Sequence, residues 1–195
     1  NHPEYSKNRF FIEGDPAAIL MVEFMDNDAA VVKEKATALI VALQQEQLGF
    51  AYPVLYNEQT KYAWDVRKAG LGLLRNIIGD AQPVNLIEDC AVTTDDLPNY
   101  IADLQQVLVK HKVNASYYAH AGAGEVHVEP IVNLKSEEGL KTFRGILADT
   151  VELVKKYKGS LSGEHGDGRL RGEYIPAVVG EETYKLFQQV KNIFD

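Results

Sequence analysis

Residues 115–132, ASYYAHAGAGEVHVEPIV, constrain the fold more than any other stretch of this chain. ASYYAH and EVHVEPIV have the aromatic and β-branched content of strands, and AGAG between them supplies a glycine turn. That hairpin makes at least one strand pair antiparallel. Around it, apolar residues recur at helical spacing in several places. Asp28 is placed to cap a helix carrying Val32, Ala36, Leu39, Ile40 and Leu43, with Gly49 as its closing glycine. Residues 58–76 read as helical at least to Gly70. Thr94 or Asp95 precedes a helix with Leu97, Ile101, Leu104 and Leu108 on one face, and Lys110 and His111 suit its C-terminal dipole. A long helix follows Ser136, with Leu140, Phe143, Leu147, Val151 and Val154 predicted to face inward. A last one covers roughly 181–194, with Phe187, Val190 and Phe194 as its stripe.

Three further apolar runs have strand length: AILMVEFM (18–25), FAYPVLY (50–56), where Pro53 argues for an edge or a bulge, and VNLIEDCAV (84–92). The order strand, helix, strand, helix, strand, helix, hairpin, helix, loop, helix favours an α+β arrangement over a doubly wound parallel sheet: an antiparallel sheet with helices packed on one face. With 195 residues and no long linker, the expectation is one domain over 1–195. The opening NHPEYSKN lacks a Met and the final NIFD stops on a helical pattern, as expected of an excised fragment.

Net charge is −8, which argues against nonspecific binding to nucleic acid or to an anionic membrane, although RLR at 169–171 is a candidate basic pocket. A single cysteine, Cys90, excludes an internal disulfide and reads as a small buried strand residue. It fits a reducing, cytoplasmic setting, and no apolar run reaches the ~18 residues of a membrane span.

The chemistry concentrates in two glycine-rich places. In HAGAGEVH (120–127), a hairpin lets His120 and His127 approach each other. In SLSGEHGDGRLRG (160–172), Glu164 and His165 stand side by side in a loop. Two imidazoles and a carboxylate form an open coordination set for a zinc-like ion, and Glu164 is placed to supply the carboxylate. Spacing alone favours hydrogen-bonded surface histidines and an Asp167–Arg169 salt bridge, and also allows a tight turn at the glycines with a solvated Glu164. A phosphate cradle is disfavoured, since no Gly-Lys-Ser/Thr follows and Glu164 and Asp167 oppose an anion. Arg67, in WDVRKAG, reads most simply as a helix-surface residue.

HAGAGEVH, followed at 162–169 by SGEHGDGR, resembles the C-terminal domain of the FAD-linked oxidase family. That family includes D-lactate dehydrogenases, the glycolate oxidase flavin subunit and D-2-hydroxyglutarate dehydrogenases, and its pattern is His-x-Gly-Asp-Gly-Asn-x-His, then Ser-Gly-Glu-His-Gly. WDVRKAG and VNLIEDCAV match two earlier landmarks, so the resemblance covers most of the chain. GEHGDGR is similar to the large bacterial members that carry an iron–sulfur domain downstream. The resemblance implies a cap, or substrate-binding, domain built on a duplicated ferredoxin-like sheet. FAD is then held mainly by a separate N-terminal domain that this chain lacks, and an iron–sulfur cluster belongs to the full-length protein and not to this chain.

The resemblance further implies that His120, His127 and Glu164 hold a divalent metal, zinc or manganese. It makes His165 the catalytic base and Arg67 the grip on the substrate carboxylate; no cofactor-binding residue is assigned. The implied reaction is oxidation of a small 2-hydroxy acid to the keto acid, and the fragment alone is expected to bind little FAD and to be inactive. The implied setting is cytoplasmic, with peripheral membrane contact through electron-acceptor partners as a variant. This chain departs from the pattern at Ala123 (usually Asp) and Glu125 (usually Asn). Glu129 stands where some relatives place an Asn, and VNLIEDCAV has no match to a lysine of hydroxyglutarate-type relatives. Two other classes are open on the residues: a stand-alone zinc hydrolase using the same His/His/Glu set, and a ferredoxin-like binding module without chemistry.

Overall fold

A computed structural model describes residues 7–74 and 77–195. Residues 1–6, which include most of NHPEYSKN and His2, lie outside the described residues. The chain forms two compact units, Asn1–Leu73 and Leu74–Asp195.

In the first unit, Asp28 caps helix α1 (Ala29–Gln45), its carboxylate accepting from the Ala30 amide at 2.8 Å. The helix closes differently from expectation. Gln47, not Gly49, takes the left-handed conformation next to the last turn (φ 56°), and Leu48 N–H donates back to Leu43 O at 2.8 Å. Helix α2 (Glu58–Leu74) runs straight through Gly70 and Gly72. Neither AILMVEFM nor FAYPVLY forms a strand among the described residues. In the first run Leu20 and Met25 are 69% and 83% exposed. An apolar run marks a segment that favours burial; a strand additionally needs a ladder partner, and local composition does not supply one.

The second unit carries the sheet. Strand β2 (Ile87–Ala91) leads to helix α3 (Leu97–Lys110), then to β3 (Ala115–His120) and β4 (Glu125–Val132), then to helix α4 (Glu137–Lys156). The short β1 (Gln82–Pro83) precedes β2. Strand β4 is central: β3 pairs along one edge, β1 and β2 follow one another along the other, and all pairings are antiparallel. Residues 160–162 then bridge to the free edge of β2 at Asp89 and Ala91. The lateral order is therefore β3, β4, β2 and the 160–162 segment, a split β-α-β arrangement. Helices α3 and α4 bury Tyr100, Leu104, Ile146, Val151 and Val154 against Ile87, Cys90, Val126 and Val128 of one sheet face. Burial pushes the Cys90 thiol up to about 12, as suits a packed, inert residue.

Several local expectations shift by a turn. Helix α3 starts after Asp96 rather than Thr94 or Asp95, with Pro98 in its first turn. Ser136 does cap α4, accepting from Gly139 N–H at 3.0 Å, but Leu140 is half exposed. Lys110 and His111 both pair with Asp149 of α4. Three short helical pieces fill 168–179, including α5 (Gly168–Arg171) and α6 (Ile175–Val179). Helix α7 (Glu181–Phe194) carries the predicted stripe, yet Phe187, Val190 and Phe194 are all about half exposed or more.

The hairpin turn has one glycine that nothing can replace. Gly124 sits at φ 73°, and a Cβ built there would lie 1.9 Å from the Val92 carbonyl oxygen. Gly124→Ala is expected to destabilise the chain by about 2 kcal/mol or more. The check is a lower denaturant midpoint at unchanged m value.

Candidate active site

Strand β2 contains the irregularity on which the site is built. Ile87 pairs with Val128 and Cys90 with Val126, so Glu88 and Asp89 together stand opposite the single residue His127. This bulge admits two consecutive acids into an otherwise apolar strand and aims them differently. Asp89 is fully buried at the strand edge, under the 160–166 loop. Its carboxylate accepts from Ser162 Oγ at 2.7 Å, Glu164 N–H at 2.9 Å, His165 N–H at 2.7 Å and the Arg171 guanidinium. Its backbone carbonyl accepts from Gly163 N–H at 2.7 Å. Arg171, delivered by α5, also donates to the Leu161 and Gly166 carbonyls, both at 2.6 Å. Burial alone would push the Asp89 carboxyl up. The donors from Ser162, His165, Arg171 and Glu164 outweigh it and hold the group well below the usual carboxylate range.

The loop held this way presents Glu164 and His165 to the sheet face opposite the helices. Alternation on β3 and β4 brings Tyr118, His120, Glu125, His127 and Glu129 to that face, with Tyr118 directly across from His127 and His120 across from Glu125. His127 is buried and stacks on Tyr118 at 4.6 Å between ring centroids. His127 Nε2 lies 3.8 Å from Oε1 of Glu164, and His120 Nε2 lies 3.9 Å from the same oxygen. One ligand atom from each of these three residues falls within 4.8 Å of the others. Burial lowers the His127 pKa, although the Glu88 carbonyl, Glu125 and Glu164 act in the opposite direction. The ring is therefore neutral near pH 7, the form that ligates a cation. His165 Nδ1 is 3.3 Å from Glu88 Oε1, and its Nε2 is 3.0 Å from Glu164 Oε1.

The structure thus gathers His120, His127, Glu164 and His165, four of the five residues singled out in the sequence. Arg67, the fifth, lies half-buried on α2 of the first unit. Two expectations change, and one signal was missed. Arg171 of the RLR stretch is 4% exposed and engaged with Asp89, so it belongs to the scaffold and not to a basic pocket. Asp167 approaches Arg171 at 4.0 Å rather than pairing with Arg169. Glu88 and Asp89 went unrecognised, although two acids inside an apolar strand are themselves a signal, because buried charge demands partners.

Comparison with known proteins is consistent along the chain. The family described as FAD linked oxidases, C-terminal domain, matches residues 4–195. D-2-hydroxyglutarate dehydrogenase of Pseudomonas putida is 35% identical over 181 residues, covering 91% of this chain and 18% of the relative. The enzyme of the same name from Escherichia coli is 34% identical, covering 90% and 18%. Glycolate oxidase subunit GlcD of Bacillus subtilis is 20% identical over 193 residues, covering 99% of this chain and 38% of the relative. The chain thus spans only a minor part of the length of the relatives it matches.

Asp89→Asn keeps the shape but removes the charge that Arg171 and the loop amides address. Breaking a buried pair of this kind costs about 3–5 kcal/mol at neutral pH. Because the folded pKa of Asp89 is depressed, its contribution is complete above the unfolded-state value of 3.8 and is lost as pH falls toward the lower folded value. Denaturant titrations across the acid range should therefore show a steep loss of wild-type stability below about pH 5 and a flatter profile in Asp89→Asn.

Proposed function

The chain belongs to the family of C-terminal domains of FAD-linked oxidases, and from that premise we propose that residues 1–195 form the cap, or substrate-binding, domain of a flavoprotein that oxidises a small 2-hydroxy acid to the keto acid. The observation that carries this reading is the convergence of His120, His127 and Glu164 beside the exposed imidazole of His165. The split β-α-β unit of residues 87–162 is read as one ferredoxin-like half, and the duplication as the ancestry of the first unit.

In this proposal His165 is the base that takes the proton of the substrate hydroxyl. Its Nδ1 rests against Glu88, which fixes the ring. Glu88 is itself steadied by the Asn85 side-chain amide at 2.8 Å. Arg67 takes the substrate carboxylate, for which a guanidinium offers two parallel donors.

The residues fit a divalent ion: two neutral-capable imidazoles and one carboxylate converge, and one of the imidazoles is closed off from water. When bound, such an ion lowers the pKa of a hydroxyl placed against it. The ion is proposed to be zinc or manganese, held by His120, His127 and Glu164. FAD, held mainly by the N-terminal domain of the longer protein, supplies the hydride acceptor. One cysteine is too few to bind an iron–sulfur cluster, so any such centre lies elsewhere in that protein. No described helix is long and apolar enough to cross a membrane, and we place the protein in the cytoplasm on its cysteine usage.

Flavin reduction in the full-length protein, followed anaerobically with a panel of 2-hydroxy acids, tests the reading. His165→Ala is expected to slow reduction by about 10²–10⁴-fold with FAD still bound. Undiminished reduction in that variant removes His165 as the base, and a flavin that no 2-hydroxy acid reduces removes the reaction class.

A further inference from the structure

Glu125 is the acid that the cradle described above does not use. It is 7% exposed, and its Oε1 is closed to solvent and has no hydrogen-bond partner. Strand alternation aims it at the site face, across the sheet from His120. The 160–166 loop lies over it: a Cβ on Gly163 would come 3.1 Å from the Glu125 carboxyl carbon, a tight approach that would press on the carboxylate. The nearest complementary group is His127 Nε2, at 3.8 Å. That separation is too long for a hydrogen bond. The same nitrogen is also 3.8 Å from Glu164 Oε1, so it is equidistant from two carboxylates.

A buried carboxylate without a donor is costly unless something positive satisfies it. Two ligands of one ion, each at about 2.0–2.2 Å, stand roughly 3–4 Å apart. Both carboxylate distances to His127 Nε2 fall in that range. We propose that Glu125 is a fourth protein ligand, so that the cation is held by two imidazoles and two carboxylates and its double positive charge is matched by the protein. Such a mixed nitrogen and oxygen set suits a borderline divalent ion such as zinc or manganese better than a soft monovalent one. The proposal rests on the reading of His120, His127 and Glu164 as a cation cradle.

The test is zinc binding itself, measured by calorimetry on the chelator-stripped full chain, for wild type, Glu125→Gln and Glu164→Gln. Wild type is expected to take one zinc, and Glu125→Gln to lose at least about 10-fold in affinity. Its metal-free denaturation midpoint should stay at the wild-type value or rise, because the unpartnered charge is gone. Equal zinc affinity in wild type and Glu125→Gln, with Glu164→Gln impaired, overturns the fourth ligand and leaves the cradle standing. Failure of the wild type to bind zinc overturns both. If Glu125→Gln does not fold, a crystal structure of the zinc-loaded wild type decides. A Glu125 oxygen within about 2.0–2.2 Å of the ion supports the assignment, and one outside that shell overturns it.

Discussion

The buried ion pair between Asp89 and Arg171 is the constraint on which the rest of the site depends. The pair is closed to water, and neither member is left with spare bonding capacity in a way that a buried charge would penalise: Asp89 receives two backbone amides and a hydroxyl besides the guanidinium, and Arg171 reaches two backbone carbonyls besides the carboxylate. All of those extra partners belong to residues 161–166. A glycine-rich loop has little intrinsic preference for one conformation, and here its backbone is specified from beneath by one carboxylate and from behind by one guanidinium. The directions taken by Glu164 and His165 follow from that anchoring.

The β2 bulge explains how an apolar strand accommodates this pair. Without the extra residue, strict alternation would send either Glu88 or Asp89 into the helix-packed core beside Ile87 and Cys90. With it, Asp89 turns to the edge and meets the loop, while Glu88 reaches the site face and meets His165. One local irregularity thus serves both the scaffold and the imidazole, and a bulge beside an active site is a recurrent use of this motif.

What was legible in the sequence divides along the same physical line. The hairpin, the helices after Asp28 and Ser136, and the meeting of His120 with His127 depend on alternation, capping and turn chemistry, which are local. The convergence of Glu164 and His165 on them was legible through motif resemblance, since no local rule joins residues so far apart in the chain. The Asp89–Arg171 pair was not read, because its members are 82 residues apart and no local rule joins an acid inside a strand to a base in a run of bases. The strands expected at 18–25 and 50–56 failed for the complementary reason. Their apolar content is real, as the exposure of Leu20 and Phe50 shows, but ladder partners are a property of the whole assembly. The stripe of α7 repeats the lesson, since helical periodicity placed Phe187 and Val190 on one face without saying what covers it.

The distribution of charge around the site gives the anchoring pair a second consequence. Arg171 is the guanidinium bonded to the loop that carries Glu164 and His165, and Asp89 with the loop carbonyls occupies it. Glu88, Glu125 and Glu164 all lie within 4 Å of the His127 or His165 imidazole, and Arg171 is engaged elsewhere. His127, neutral through burial, adds no compensating charge. An acid-rich pocket of this kind repels a carboxylate-bearing substrate at close range. For a site of this composition to accept a 2-hydroxy acid, positive charge has to arrive from outside the histidine cluster. The proposed reading supplies it through a divalent ion that the acids attract. On that proposal, the acids around the histidines would hold the cation that a carboxylate-bearing substrate needs.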